Sequence, residues 1–223
     1  MVIIRRSKRT KSASIRVKEA STTITVPKWA SRSDINALIT KKSHWIKKQL
    51  SEQKEALRLS KRDYIQGESF FYRGKPLTLT IQHSDQESVT IDNGQLTLFI
   101  PRGESSAKSR QQLIQKQFQT LAQQHLKERT LHYAEAIGVT YSKIRVKTYK
   151  SRWGSCSSLG LISYNWKIII APDSVIDYIV IHELCHLIEH NHSARFWALV
   201  EQFQPHYKQQ KEWLRKNGLR LTL

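Results

Sequence analysis

Residues 182–186 read His182-Glu183-Leu184-Cys185-His186, and a further histidine follows at His192. An α-helix turns ~100° per residue, so histidines four apart lie ~40° from one another, about one turn along a single face. Two imidazoles placed that way can bind one metal ion. Glu183 sits beside them, where a carboxylate can take a proton from a water on that metal, which is the residue pattern of zinc hydrolases. The string requires a helix, and its surroundings predict one. Val175, Ile176, Ile179, Val180, Leu184 and Leu187 recur at three- and four-residue steps. Ala171-Pro172-Asp173-Ser174 supplies proline and capping residues ahead of that stripe. Asn191 tolerates a left-handed turn, so a chain reversing at His190-Asn191-His192 can end the helix and bring His192 back to the metal.

The ligand count distinguishes two kinds of site. Three protein nitrogens leave one tetrahedral position open for water, whereas structural zinc is usually closed by four protein ligands. The expected cofactor is therefore a catalytic Zn²⁺. His192 ranks first as third ligand, Glu201 second and His190 third. Cys185 projects ~80° off the direction of the two histidines, which suits a small thiol packed into the core rather than a fourth ligand.

Charge and cysteine usage bound the partners and the compartment. Of the 223 residues, 37 are basic and 18 acidic, a net +19. The excess is uneven, since residues 1–66 hold 17 basic and 5 acidic residues. A basic N-terminal third suits nucleic acid or another polyanion through phosphate neutralisation, and equally a solvated surface. Two cysteines make no disulfide framework. Only four apolar residues precede the first charges, short of the ~7–15 of a signal peptide, and no apolar run approaches the ~18 of a membrane span. A cytoplasmic chain without membrane partners is expected.

Residues 13–18 and 22–26 read as short strands, closed by Pro27. Ser31-Arg32-Ser33-Asp34 opens a helix carrying Ile35, Leu38, Ile39, Trp45, Ile46 and Leu50 at helical spacing. Its lysines 41, 42, 47 and 48 flank Trp45, a pattern that suits a phosphate backbone or a surface helix burying one tryptophan. Around Gly67–Pro101 the period becomes two, with Asn93-Gly94 as a hairpin turn. Residues 105–137 form one long helix ended by Gly138. Strand-like 144–149, a loop at 151–158 and a strand region at 161–170 precede the metal helix. Helices at about 193–203 and 205–217 follow, with Gly218 as stop. A strand directly ahead of the metal helix can pair with an extended peptide and lay its carbonyl over the site, which suggests a polypeptide substrate.

Several strings together resemble a known group: Lys150-Ser151-Arg152-Trp153-Gly154-Ser155-Cys156-Ser157, Asn165-Trp166, Ala171-Pro172, Val175-Ile176-Asp177-Tyr178, the His182–His186 string, Asn191-His192-Ser193, Phe196-Trp197 and Trp213-Leu214. In this order they look like the YgjP-like family of zinc metallopeptidases, most specifically over residues 140–218. The resemblance implies an α+β fold with a zincin-like metallopeptidase core (residues 103–223) behind a basic, β-rich N-terminal region with one helix (1–102). It implies His182, His186 and His192 as zinc ligands, Glu183 as general base and peptide hydrolysis as the reaction. It also implies kinship with SprT-like proteases, some of which act on proteins attached to DNA. The His186–His192 spacing equals that of the metzincins, but Glu189 stands where those have glycine, so the turn falls to Asn191 or its neighbours.

Within the Arg152–Cys156 loop, Gly154 can allow a tight turn beside the site and Arg152 can stabilise an oxyanion. The competing reading is Trp153 as a core anchor with Arg152 stacked or ion-paired. Tyr164, Asn165 and Tyr207 are the other oxyanion candidates. Cys156 has no base near it in sequence to make it a nucleophile.

Overall fold

The computed structural model describes residues 2–8, 12–18, 21–59, 62–103 and 105–223. They fall into two compact units, Met1–Lys61 and Arg62–Leu223. In the first, β1 (Val2–Ser7), β2 (Ser14–Lys18) and β3 (Ser21–Pro27) form a sheet in the order β1-β3-β2. Strand β3 runs parallel to β1 and antiparallel to β2. Its alternation sets Ile24 and Val26 inward, against Ala30 and Ile35 with Ile15, Leu38 and Ile39 at the margin. Helix α1 (Arg32–Leu59) starts at a reciprocal cap. Ser31 Oγ accepts from the Asp34 amide at 3.0 Å, and the Asp34 carboxylate accepts from the Ser31 amide at 3.1 Å. On this helix Ile35 and Ile46 are buried, while Trp45 is 43 % exposed rather than buried.

The second unit is α+β. Strands β4 (Ser69–Tyr72), β5 (Lys75–His83), β6 (Ser88–Asp92) and β7 (Gln95–Ile100) form a sheet in the order β4-β5-β7-β6, with β5 and β7 parallel. Asn93 and Gly94 turn between β6 and β7 with φ of 48° and 78°, as the dipeptide predicts. Helix α2 (Ala107–Ile137) is capped by Ser106, which accepts from the Ser109 amide, and by left-handed Gly138. Its Ile114, Phe118, Ala122 and Leu126 share one core with Phe70, Leu79, Leu96 and Leu98 of the sheet, all fully buried.

A third sheet, β8 (Lys143–Lys147), β10 (Leu161–Asn165) and β9 (Gly154–Cys156), stands in the order β8-β10-β9. The segment read as a loop at 151–158 thus contains strand β9, antiparallel to β10. The segment read as strand to residue 170 leaves the sheet at Asn165, whose side chain caps a 3₁₀ turn over Trp166–Ile170. Alternation cannot continue there because Trp166, Ile168, Ile169 and Ile170 are all buried. Helix α3 (Asp173–Cys185) follows, then α4 (Ala194–Phe203) and α5 (Tyr207–Asn217). Helix α5 ends at Asn217 with Gly218 as its cap, although Gly218, at φ −55°, continues into a short 3₁₀ turn. Among the described residues no helix is long and apolar enough to cross a membrane.

Two ion pairs hold the first turns of α3. Asp173 takes a bidentate pair from Arg73 at 2.7 and 2.8 Å, and Asp177 one from Arg129 at 2.7 and 2.9 Å, with the Tyr133 hydroxyl donating to it at 3.1 Å. Arg73 belongs to the β4–β5 turn, which also donates the Arg73 and Gly74 amides to the Ile169 and Ile170 carbonyls. Gly74 has φ 75°, and a Cβ there would lie 2.8 Å from Pro172 Cα. Gly74→Ala is accordingly expected to destabilise the chain by about 2 kcal/mol or more through a left-handed strain and a backbone clash together. Urea unfolding measures this, and an unchanged midpoint would refute the docking role of the turn.

Candidate metal centre

Helix α3 is apolar on every side but one. Val175, Ile176, Tyr178, Ile179, Val180, Ile181, Leu184 and Cys185 are all buried, so the apolar stripe wraps round the whole helix. Within that surface Glu183 is 5 % exposed, and His182 and His186 are half-buried facing a cleft of about 400 Å³. The helix proper stops at Cys185, one residue before the second histidine; His186 keeps right-handed helical angles and so stays stacked beneath His182. The reversal to His192 differs from expectation, since Asn191 is not among the residues with positive φ. Instead the Ile188 and Glu189 amides both donate to the Cys185 carbonyl, and the Ser193 amide to Asn191. Ser193 then caps α4, accepting from the Phe196 amide at 3.2 Å, which fixes the chain one residue after His192.

One ring nitrogen from each of His182, His186 and His192 lies within 4.8 Å of the others. The Nε2 atoms of His182 and His192 approach to 3.1 Å. Tetrahedral zinc with ~2.0–2.1 Å bonds spaces its nitrogens about 3.3 Å apart, so the donor set fits a zinc ion with small side-chain adjustments. Burial, followed by the His186 and His192 rings, draws the His182 pKa down to about 3, and burial lowers that of His186 as well. Neutral imidazoles keep the lone pair a metal needs. His186 Nδ1 bonds the Glu189 carbonyl at 3.1 Å, which places the proton on Nδ1 and frees Nε2. The other ring nitrogen of His182, Nδ1, is buried without a hydrogen-bond partner among the described residues.

An aromatic shell that spacing alone could not locate surrounds the three rings. Phe196 stacks on His186 at 4.5 Å and meets His182 and His192 edge-on at 4.9 Å each. Trp197 stacks on His192 at 5.6 Å and on Tyr207 at 5.2 Å. The i, i+1 pair Phe196-Trp197 was legible only as part of a motif.

Glu183 points across the cleft at strand β9. A Cβ on Gly154 would meet Glu183 Oε1 and lie 2.6 Å from its Cγ, so only glycine fits opposite the carboxylate. Burial pushes the Glu183 pKa up to about 8, with the Arg152 charge drawing it back. Of the other residues singled out in sequence, His190 lines the cleft but lies outside the three-nitrogen group. Glu201 pairs with Lys208 at 3.3 Å. Cys185 is fully buried, its thiol held near 12, and Cys156 lines the cleft with a thiol pushed to about 11, far from nucleophilic range. Two oxyanion candidates are spent elsewhere. Tyr164 is fully buried and shares a 3.0 Å bond with Thr130, and Asn165 donates to the Tyr149 and Arg152 carbonyls. Tyr207 is buried in the aromatic stack, whereas Arg152 is exposed with its guanidinium 5.6 Å from the Tyr149 ring centre.

The chain matches a family model described as YgjP-like, metallopeptidase domain, over residues 11–217. No curated protein matches it. Among solved structures it is similar to the metallopeptidase zymogen abylysin of Pyrococcus abyssi, at 24 % identity and a TM-score of 0.40 over 44 % of this chain and 99 % of the other. It is also similar to the metallopeptidase zymogen jannalysin of Methanocaldococcus jannaschii, at 17 % identity and a TM-score of 0.38 over 41 % and 95 %.

Zinc affinity distinguishes the rival third ligands. His192→Ala is expected to weaken zinc by more than the ~10–100-fold that an outer-shell partner is worth, and Glu201→Ala to leave affinity unchanged. Competition titration against a chromophoric chelator reads both; wild-type affinity in His192→Ala would remove that residue from the site.

Proposed function

The chain belongs to the YgjP-like metallopeptidase family, and from that premise we propose that it is a zinc-dependent peptidase whose ion is held by His182, His186 and His192, with Glu183 as general base. The observation that carries this reading is the convergence of three imidazole nitrogens within 4.8 Å on a cleft that Glu183 also lines. Zinc bound there supplies a Lewis acid that brings the pKa of water towards ~7 and polarises a carbonyl. Glu183 Oε1 takes the proton of the attacking water and returns it to the leaving amine, its carboxylate shielded from bulk solvent by Gly154 and the apolar flank of α3. Strand β9 pairs with β10 along one edge, and its other edge, bordering the cleft, suits an extended peptide laid down as an added strand. That arrangement supports polypeptide as substrate. Arg152, exposed beside Glu183, is the candidate that stays free to steady negative charge on the scissile carbonyl.

Glu183→Gln is expected to lower casein hydrolysis at least a thousandfold while zinc stays near one per chain, and chelated wild-type protein to remain folded but inactive. Full activity in Glu183→Gln would take the carboxylate out of the mechanism. Unfolding on chelation would favour a metal that braces the fold.

A second reading concerns the unit Met1–Lys61. Trp29 is 78 % exposed on a turn that Arg6 pins by donating to the Lys28 and Ala30 carbonyls at 2.9 and 2.7 Å. A tryptophan held into solvent amid basic residues is suited to stacking on a base while lysines and arginines neutralise phosphates, so this unit would bring the peptidase to nucleic acid. Affinity for a single-stranded oligonucleotide should then fall at least tenfold between 50 and 200 mM salt, with a further loss in Trp29→Ala. Salt-indifferent binding would count against the polyanion role.

A further inference from the structure

A second cavity, of about 320 Å³, opens where the 149–153 loop meets the end of α5. Lys150, Arg152 and Lys167 line it with Trp153, Leu214 and Leu221, and no aspartate or glutamate does. We propose that this cavity is a subsite for a carboxylate of the polypeptide substrate, an acidic side chain a few residues from the scissile bond, so that the enzyme selects acidic peptides. The proposal rests on the peptidase reading for its substrate class and on the cavity for its chemistry.

Three observations carry it. The first is uncompensated charge. Lys167 is half-buried at the start of the 3₁₀ turn after β10 and forms no ion pair among the described residues; its ammonium lies 5.9 Å from the Trp166 ring centre, and burial draws its pKa down. A lysine withdrawn from water without a counter-charge is costly unless an anion comes to it. Among the described residues Arg152 has a tyrosine ring beside it and no carboxylate within pairing distance, its charge reaching Glu183 only through space, and Lys150 is exposed without one. Arg215 also reaches the cavity, but its guanidinium is held by Glu212 at 2.6 Å through two bonds.

The second observation is the direction of the loop carbonyls. Those of Tyr149 and Arg152 accept from the Asn165 side chain at 3.1 and 3.3 Å, and that of Trp153 accepts from the Asn165 amide at 2.8 Å. The oxygens that would repel an anion are thus turned onto Asn165, which leaves the cationic side chains to set the field. This gives Asn165 a purpose that its assignment as an oxyanion donor did not.

The third is position. Trp153 lines this cavity, and the next residue, Gly154, begins β9 and lines the catalytic cleft. A peptide paired along β9 advances ~3.3 Å per residue, so the cavity falls within a few residues of the bond presented to Glu183. Gly218 closes its far wall: a Cβ there would come 3.2 Å from the Trp153 ring, so the bare backbone is what lets the end of α5 rest on that indole.

The test uses the full, zinc-loaded chain carrying Glu183→Gln, so that bound peptide is not consumed. Two capped decapeptides that differ only in one central Glu or Gln are titrated by calorimetry. The Glu peptide is expected to bind about tenfold tighter, the effect of one charge-assisted contact. The ratio should fall to within twofold when Lys150→Gln and Lys167→Gln are added, and survive Lys108→Gln and Lys143→Gln, which remove equal charge elsewhere. A ratio near one in the parent, or one unaffected by the cavity substitutions, overturns the subsite. Tighter, Lys167-dependent binding of inorganic phosphate than of the Glu peptide also overturns it, by making the cavity a phosphate site. Casein hydrolysis by the unsubstituted chain is read separately. Its absence alongside an intact Glu preference sinks the peptidase reading and leaves the subsite standing.

Discussion

Helix α3 has to satisfy two demands that oppose each other. It is the centre of the second unit's core, so nearly every side chain on it must be apolar, yet it must present two imidazoles and a carboxylate to one opening. Burying an ionisable carboxyl without a bonded partner costs free energy in proportion to its dehydration. Glu183, 5 % exposed and opposed by the bare backbone of Gly154, sits at that cost. The surrounding structure offsets it by making the helix's placement non-negotiable. Its first two turns are held by Arg73 and Arg129 through bidentate pairs, its middle by the buried core, and its end by the rings of Phe196 and Trp197, which pack on His182. A site of this kind is stable because rigid neighbours leave its polar groups nowhere else to go.

Where local chemistry decides the structure, the sequence was readable. Ser31 and Asp34 cap α1, Gly138 ends α2, and Asn93-Gly94 turns a hairpin, each through a bond or dihedral that a short stretch of residues dictates by itself. The His182 and His186 spacing depends on nothing but helical geometry. The failures lie where tertiary packing overrules the local pattern. Gly154-Ser155-Cys156 lacks β-branched residues and becomes a strand because β10 offers it partners. Residues 166–170 have the apolar run of a strand but fold as a 3₁₀ turn, since both faces are claimed by the core. The reversal before His192, expected at Asn191 or its neighbours, runs through the Ile188 and Glu189 amides returning to Cys185, a pattern no side chain advertises. Asn165 and Tyr164, reasonable as donors by residue type, are removed from consideration by what they already bond.

Basic residues are abundant throughout, and their roles diverge with their surroundings. Arg73 and Arg129 are structural because each faces a carboxylate squarely, and Arg6 because two carbonyls converge on it. Lys167 and Arg152 have no such partner among the described residues and flank a cavity next to the candidate site. Composition gives one number for all of these; only the environment of each separates a girder from a receptor. The same holds for the β-rich stretch from Ser69 to Ile100. Its composition resembles that of the N-terminal strands, but its buried leucines share one core with α2 and α3.

The ion pairs that fix α3 also carry a timetable. Arg73 and Asp173 are 100 positions apart, and Arg129 and Asp177 are 48 apart. A ribosome adding ~5–20 residues per second therefore releases Arg73 some ~5–20 s before the helix it anchors. The four-stranded sheet and α2 can assemble in that interval, but the cleft cannot. His192, Trp197 and Tyr207 emerge later still, and the imidazoles have no aromatic shell until they do. A nascent chain can thus pack its four-stranded sheet before the cleft that could cut it exists. The cleft is completed only after the segments most open to self-digestion have had time to pack away.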